Sequence, residues 1–415
     1  MQPLNRVLQN LQTYWLIVTG AVISLLLLTV TNAITPQLFL LAIDRGITQK
    51  NLQVVLYSAG AMVLVALGRG LFNFGQSFWA EKASQGVAYD LRNKIFDKIE
   101  NLSFSYHDRA QTSQLLTRIT SDVEQIRLFL GTSLVQVVSS IVTLLATSVI
   151  LLLMNWRLAL ISLALVPLAA LILANFLIKN QKVFGLVQER LGDLNGVLQE
   201  NISGVRIVKA FVRESLEMAR YEAINRDLVH VNMRTILAIR NTFPFVFFLS
   251  NLITLAVVGY AGIEVINRRS TIGELVAFNT YLLFILQPIL LIGFAAPVIA
   301  QAAASAERIY EVIDTPIEIK DRQNAIPLKG CIGRISFENV QFRYPGSETF
   351  AIEGISFETK PNELIALLGT TGSGKSTIVN LIPRFYDVTE GAVRIDGCDV
   401  RDLQLSSLRS QIGVV

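Results

Sequence analysis

The stretch with the clearest chemistry covers residues 363–380 and reads ELIALLGTTGSGKSTIVN: an apolar run of strand character, a glycine-rich turn and the start of a helix pattern. Residues 369–377 fit G-x-x-x-x-G-K-[ST], a spacing whose chemistry is the binding of a triphosphate. Gly369, Gly372 and Gly374 let the backbone curl so that several N–H groups and a helix N-terminus converge on one anion, with Thr370, Thr371 and Ser373 completing the turn. Lys375 is then a cation for the β- and γ-phosphates. Ser376 offers a hydroxyl to Mg²⁺, and Thr377 serves the outer phosphates with the backbone. Upstream, residues 334–344 read RISFENVQFRY and alternate like a half-buried strand before a turn at Pro345 and Gly346. Tyr344, at the end of that strand, is either a packing aromatic or a platform on which adenine stacks.

The elements that must hold this loop come after a very different region. Of the 415 residues 52% are hydrophobic and 16% charged, a balance that requires much of the apolar surface to face lipid. Uncharged runs long enough to cross a bilayer lie at 14–43, 54–80 (interrupted by Arg69), 129–154, 158–178, 243–263 and 275–300. Helices are the form they must take, because lipid offers no partners to backbone N–H and C=O groups. The first run is too long to be the apolar core of a cleavable signal and is expected to be a retained span.

The links between spans alternate in length and charge. Those at 81–128 and 179–242 are long and basic, with Arg92, Lys94, Lys98, Arg109 and Arg118 in the first and Lys182, Arg206, Lys209, Arg220 and Arg234 among those in the second. The positive-inside tendency puts both links, both termini and the polar C-terminal part in the cytosol. Apolar residues at helical spacing over 87–102 and 186–212 predict that helices continue out of the membrane as arms. The net charge of +4 is spread over these links, and no basic block suggests nucleic acid. Cys331 and Cys398 both fall on the cytosolic side, where thiols stay reduced, so no disulfide is expected.

Six spans, two long cytosolic links, and then FRYPG, GTTGSGKST and RFYDVTEGAVRIDGCDV in that order closely resemble the ATP-binding cassette (ABC) exporters. The resemblance covers essentially the whole chain. It implies a six-helix membrane domain with cytosolic extensions at 1–315, followed by the N-terminal part of an α/β P-loop ATPase domain at 316–415. It further implies that Tyr344 stacks on adenine, that 369–377 is the Walker A loop for ATP and Mg, and that coupling helices lie near 103–114 and 204–214. The stretch SAERIYEVID at 305–314 resembles the family's exit from the sixth span. Where the family has Pro-Gly-Glu this sequence has Pro361-Asn362-Glu363, and asparagine tolerates the positive φ such a turn needs. The Q-loop glutamine, the LSGGQ signature, the Walker B glutamate and the switch histidine of the family have no counterpart in these residues. The expectation is a fragment ending within an IGVV strand, with no catalytic residue of its own and no hydrolysis by itself.

The resemblance implies an ATP-hydrolysing translocase paired with a second half-transporter that is identical or related, surrounded by lipid and moving an unidentified substrate by alternating access; the plain N-terminus, with neither transit peptide nor extra leading spans, sets the expectation of a bacterial plasma membrane. The alternative is a nucleotide-binding regulatory or partner subunit without ATPase activity; an ATP-gated channel is a third reading that no residue selects. Polar residues within spans are the pathway candidates: Arg69, Asn73 and Gln76 in the second, Asn175 in the fourth, Asn251 in the fifth, and Asn279 and Gln287 in the sixth. Arg69 is the sharpest, since a charge at membrane depth must face a wet cavity or a partner; snorkelling or a helix–helix hydrogen bond are its other readings. Pro244, Pro288 and Pro297 are expected within or beside the last two spans, where they could bend helices.

Overall fold

Backbone that crosses lipid has to close its own hydrogen bonds, and in the computed structural model, which describes residues 3–415, the apolar runs all do so as helices. These are α1 (Pro3–Ile47), α2 (Leu52–Asn101), the single turn α3 (Phe104–His107), α4 (Thr112–Met154), α5 (Trp156–Leu163), α6 (Leu165–Ala210), α7 (Glu214–Ile266) and α8 (Ile272–Asp314). Among the described residues six helical stretches are long and apolar enough to cross a membrane, as the hydropathy pattern predicts. Short π-helical turns interrupt α1 at its outer end and α4 at Arg118–Asp122 and Phe129–Ser133. Both long links are helical arms, since α2, α6 and α7 run well past the apolar windows without a break.

The chain divides into two compact units. The spanning unit comprises Asn10–Gly86 and Arg127–Gln301. Its core is built from Leu151, Ala169, Val257, Phe278, Tyr281 and Ile285, so α4 to α8 share one packed interior. The tight passage from α4 to α5 follows from Asn155, whose side-chain oxygen accepts from the N–H groups of Arg157 (3.1 Å) and Leu158 (3.3 Å) and so caps α5. Helix α1 is tied to α8 near the outer face: the Tyr281 hydroxyl donates to the Ala33 carbonyl (2.5 Å), and Asp44 accepts from the Thr271 hydroxyl and from the Gly273 N–H (2.9 Å).

The sheet unit comprises Met1–Gln9, Val87–Ile126 and Ala302–Val415. It contains β1 (Ile335–Phe342), β2 (Ile352–Glu358), α9 (Lys375–Leu381), β3 (Glu390–Ile395), β4 (Cys398–Asp399) and α10 (Leu405–Arg409). The strands form an antiparallel sheet in the order β2-β1-β3-β4, with Phe337 opposite Phe357 on one side and Val393 on the other. Phe337, Val340 and Phe342 of β1 are buried with Ile352, Leu381 and Val393; the alternation read from the sequence is shifted by one residue at Glu338 and Asn339, both exposed, where the strand pairing is irregular. Asn362 takes φ +62°, the left-handed turn expected at that position, and both thiols are free.

Three local expectations are corrected. Residues 363–368 form no strand, and Leu364 and Leu368 are 97% and 94% exposed. Apolar alternation makes a segment fit for a sheet but supplies no neighbour, and none of the described strands pairs with it. Residues 412–415 are likewise unpaired. At 204–214 there is no separate short helix: α6 ends at Ala210 and α7 begins at Glu214, joined by a turn in which Val212 has φ +53°.

Candidate functional site

The phosphate-type loop lies between the turn at Thr370 and the start of α9. Gly372 and Gly374 both have φ +87°, a conformation costly for any residue with a Cβ, and a Cβ on Gly374 would lie 2.7 Å from the carbonyl oxygen of Ala351. The missing side chain is what lets the loop lie so close to the start of β2. The first turn of α9 leaves the N–H groups of Lys375, Ser376 and Thr377 without helical acceptors. Lys375 folds back over the loop, its Nζ donating to the carbonyls of Gly369 (2.9 Å) and Thr370 (2.7 Å) and to Ser373 Oγ (3.3 Å). The Ser373 N–H in turn donates to Thr370 O (3.2 Å). Thr370, Thr371, Ser373 and Ser376 are exposed, so the loop presents an ammonium group, hydroxyls and amides to solvent in one place. This donor set, with no carboxylate bonded to the lysine among the described residues, fits a polyphosphate and an attendant Mg²⁺.

Tyr344 and Thr377 are brought together. Their hydroxyls are 3.0 Å apart, and Thr377 is buried while the tyrosine ring is half-buried. The Tyr344 ring meets Phe342 (4.9 Å) and Tyr386 (5.3 Å) edge to face. Tyr386 continues the contact outward, since its hydroxyl donates to Asp108 Oδ2 (2.5 Å) just after α3. Burial, then the bond to the Asp108 carboxylate, pushes the Tyr386 phenol far above its ordinary range, so it stays a donor at any physiological pH. Beside it Phe104 of α3 stacks on Phe385 at 4.1 Å, and Ser105 donates to Glu318. A path of direct contacts therefore runs Asp108, Tyr386, Tyr344, Thr377 from the first cytosolic link into the loop. Sequence reading located Tyr344 and the loop but missed Tyr386 and Asp108, which nothing in local spacing singles out.

In the spanning unit a cavity of about 330 Å³ lies among α1, α2, α4 and α8. Arg69, Asn73 and Gln76 line it from one face of α2, and Gln287 lines it from α8. Asn175, Asn251 and Asn279 lie elsewhere; Asn251 donates to the Phe247 carbonyl of its own helix (2.9 Å). Lining residues that sequence reading missed are Asn32 of α1 and a polar stripe on α4 that includes Thr132, Gln136, Ser139 and Thr143. Their spacing of three or four within an otherwise apolar span was the available signal. Gln76 is 7% exposed, and its Oε1, like Asn32 Oδ1, is buried with no donor among the described residues.

Comparison with known proteins places both parts of the chain in one family. Residues 17–289 match the family model described as ABC transporter transmembrane region, and residues 352–415 match the model described as ABC transporter. The chain is 32% identical over 396 residues to an ATP-dependent lipid A-core flippase of Syntrophus aciditrophicus, covering 95% of this chain and 66% of that protein. An uncharacterized ABC transporter ATP-binding protein of Bacillus subtilis is 32% identical, covering 99% and 72%, and a putative multidrug export ATP-binding/permease protein of the same organism is 34% identical, covering 82% and 59%. The chain thus spans about two thirds of the length of these curated relatives. Six spans followed by a phosphate-loop segment, and both family models matched in that order, make this multi-pass membrane chain a member of the ABC transporter family.

Proposed function

We propose that the protein to which this chain belongs is an ATP-driven exporter working by alternating access as a dimer of half-transporters, with residues 1–315 as its membrane domain and 316–415 as the first part of its ATPase domain. The observation that carries this reading is the contact path from the first cytosolic link, through Asp108, Tyr386 and Tyr344, to Thr377 in the phosphate loop. A nucleotide-dependent shift of the loop has a packed aromatic route into the helices of that link. Two relatives are named as an ATP-dependent lipid A-core flippase and a putative multidrug export ATP-binding/permease protein, names that fit an ATP-driven transporter.

In this reading bound ATP with Mg²⁺ supplies the free energy. Lys375 releases the Gly369 and Thr370 carbonyls and turns to the outer phosphates, and the amides of the loop from Gly369 through Ser373, Gly374 and Ser376 cradle them. The exposed Ser376 hydroxyl would hold the metal, which would neutralise charge on the phosphates, and Tyr344 would orient the base while its hydroxyl holds Thr377 in register. The test is vanadate-sensitive ATPase activity of the full reading frame in lipid, with and without Lys375→Ala. Activity that the substitution abolishes supports the exporter. A folded protein that binds ATP yet shows no activity overturns it in favour of a regulatory partner subunit.

A further inference from the structure

The core of the spanning unit draws on α4 to α8 and, among the described residues, on none from α1 or α2. Those two helices are fitted to each other instead: a Cβ on Gly20 would stand 3.3 Å from the Trp79 ring, one on Gly75 3.0 Å from Ser24 Oγ, and one on Gly46 2.6 Å from the Val55 side chain. The cavity lies between the two groups, with Asn32 and Gln76 on one wall and Gln136 and Gln287 on the other. Towards the outer side the walls meet at the seam between α1 and α8, and two tiers of hydrogen bonds close it. The inner tier is Tyr281, which donates to the Ala33 carbonyl (2.5 Å) and accepts from Gln37 Nε2 (3.3 Å). The outer tier is Asp44, in the π-helical turn Ala42–Ile47, which accepts from the Thr271 hydroxyl and from the Gly273 N–H (2.9 Å). Its carboxylate thus caps α8 from another span, using an N–H that has no acceptor in its own helix and the favourable end of the helix dipole. Gly273 is fitted to it, since a Cβ there would stand 2.6 Å from Asp44 Cγ.

We propose that Asp44 is the outer latch of the transport path: its hold on the start of α8 keeps the cavity closed to the outer side, and outward opening requires that hold to break. The inference deepens the exporter reading and rests on it. Bonds to a carboxylate are stronger than those between neutral groups, so Asp44 is the main tie and Tyr281 the lesser one.

The test uses the full-length protein in oriented vesicles, with Cys331 and Cys398 replaced by serine and Ser139→Cys as a reporter on the cavity wall. A membrane-impermeant maleimide is added from the outer side without nucleotide, and the labelling rate is read. Asp44→Ala and Gly273→Ala, the second of which displaces the carboxylate without removing it, should each raise that rate about tenfold. Asp44→Asn, which keeps an acceptor oxygen, and Tyr281→Phe, which loses a neutral bond, should raise it about threefold. Asn155→Ala controls for general loosening: it loses bonds at the same end of the spanning unit but within the α4–α8 group, to Arg157, Leu158 and Glu264, and should lower the melting midpoint without raising the rate. Melting curves show which variants fold, and Gly273→Ala and Asp44→Asn keep the test decisive if Asp44→Ala does not. An unchanged rate in the folded Asp44 and Gly273 variants, or an equal rise with Asn155→Ala, overturns the proposal. If the parent protein is then still labelled from outside with ATP and vanadate, the exporter reading stands and the latch alone falls; if no condition gives outer labelling, both fall.

Discussion

Gly374 is the position at which the phosphate loop is most sensitive to a single methyl group, and the cost follows from two separate observations. Its φ of +87° costs an L-residue about 1–2 kcal/mol, and a Cβ would sit 2.7 Å from the Ala351 carbonyl oxygen, a backbone atom with no rotamer to escape into. Gly374→Ala therefore forces the loop off the start of β2. If the loop relaxes out of its cradle and has to be driven back on binding, about 2 kcal/mol appears as roughly thirtyfold weaker nucleotide affinity. Gly372→Ala meets the same φ penalty in open space, so it should cost about tenfold. Gly369 has ordinary φ, and its Cβ would meet Ser373 Oγ, the end of a side chain that can rotate, so Gly369→Ala should stay within about threefold. Titration of the intact protein with a fluorescent ATP analogue, beside melting curves, measures the series. Equal loss at Gly369 and Gly374 would refute the reasoning, because steric access to Ala351 distinguishes them.

Asp122, nearly fully buried, accepts from Ser305 (2.9 Å), Arg118 (3.1 Å) and Arg308, so Asp122→Ala should lower stability by about 2–3 kcal/mol, less than for a fully buried pair because Arg308 is partly exposed; thermal melting checks it, and an unchanged midpoint would contradict it. Phe104→Ala removes the stack on Phe385, about 1 kcal/mol beyond the area lost, and should reduce stimulation of ATPase activity by transported ligand more than it reduces basal activity. Asp399 is pushed up by burial, but the bonds from Arg401 outweigh this and hold its carboxyl below the usual range. Its contribution is thus complete above pH about 4 and disappears as pH falls through the lowered native value, so Asp399→Asn should flatten the acid limb of a stability–pH curve without reshaping it near neutrality.

What was legible beforehand and what was not divides along physical lines. Spans could be read because lipid imposes length and apolarity on each helix separately, and the loop because glycines, lysine and serine must lie at fixed local offsets. Arg69, Asn73 and Gln76 were visible as polar residues within one span, and they do line one cavity. Asn251 looked equivalent in sequence but satisfies itself on its own helix, a distinction that composition cannot make. Contacts such as Tyr386 with Asp108 or Arg308 with Asp122 join residues far apart in the chain, so nothing local announces them. The unpaired run at 363–368 marks the same boundary from the other side: local pattern names a strand former, and only the fold decides whether a neighbour exists.

The most direct test of the account is the accessibility of a cysteine in the cavity. With Cys331 and Cys398 replaced by serine and Ser139→Cys introduced, the full-length protein in oriented vesicles is treated with a membrane-impermeant maleimide from each side, with and without ATP and vanadate. The account predicts labelling from the cytosolic side without nucleotide, a switch to the outer side when ATP and vanadate are added, and no switch with Lys375→Ala. Labelling from one side only, whatever nucleotide is bound to a protein that still hydrolyses ATP, would contradict it.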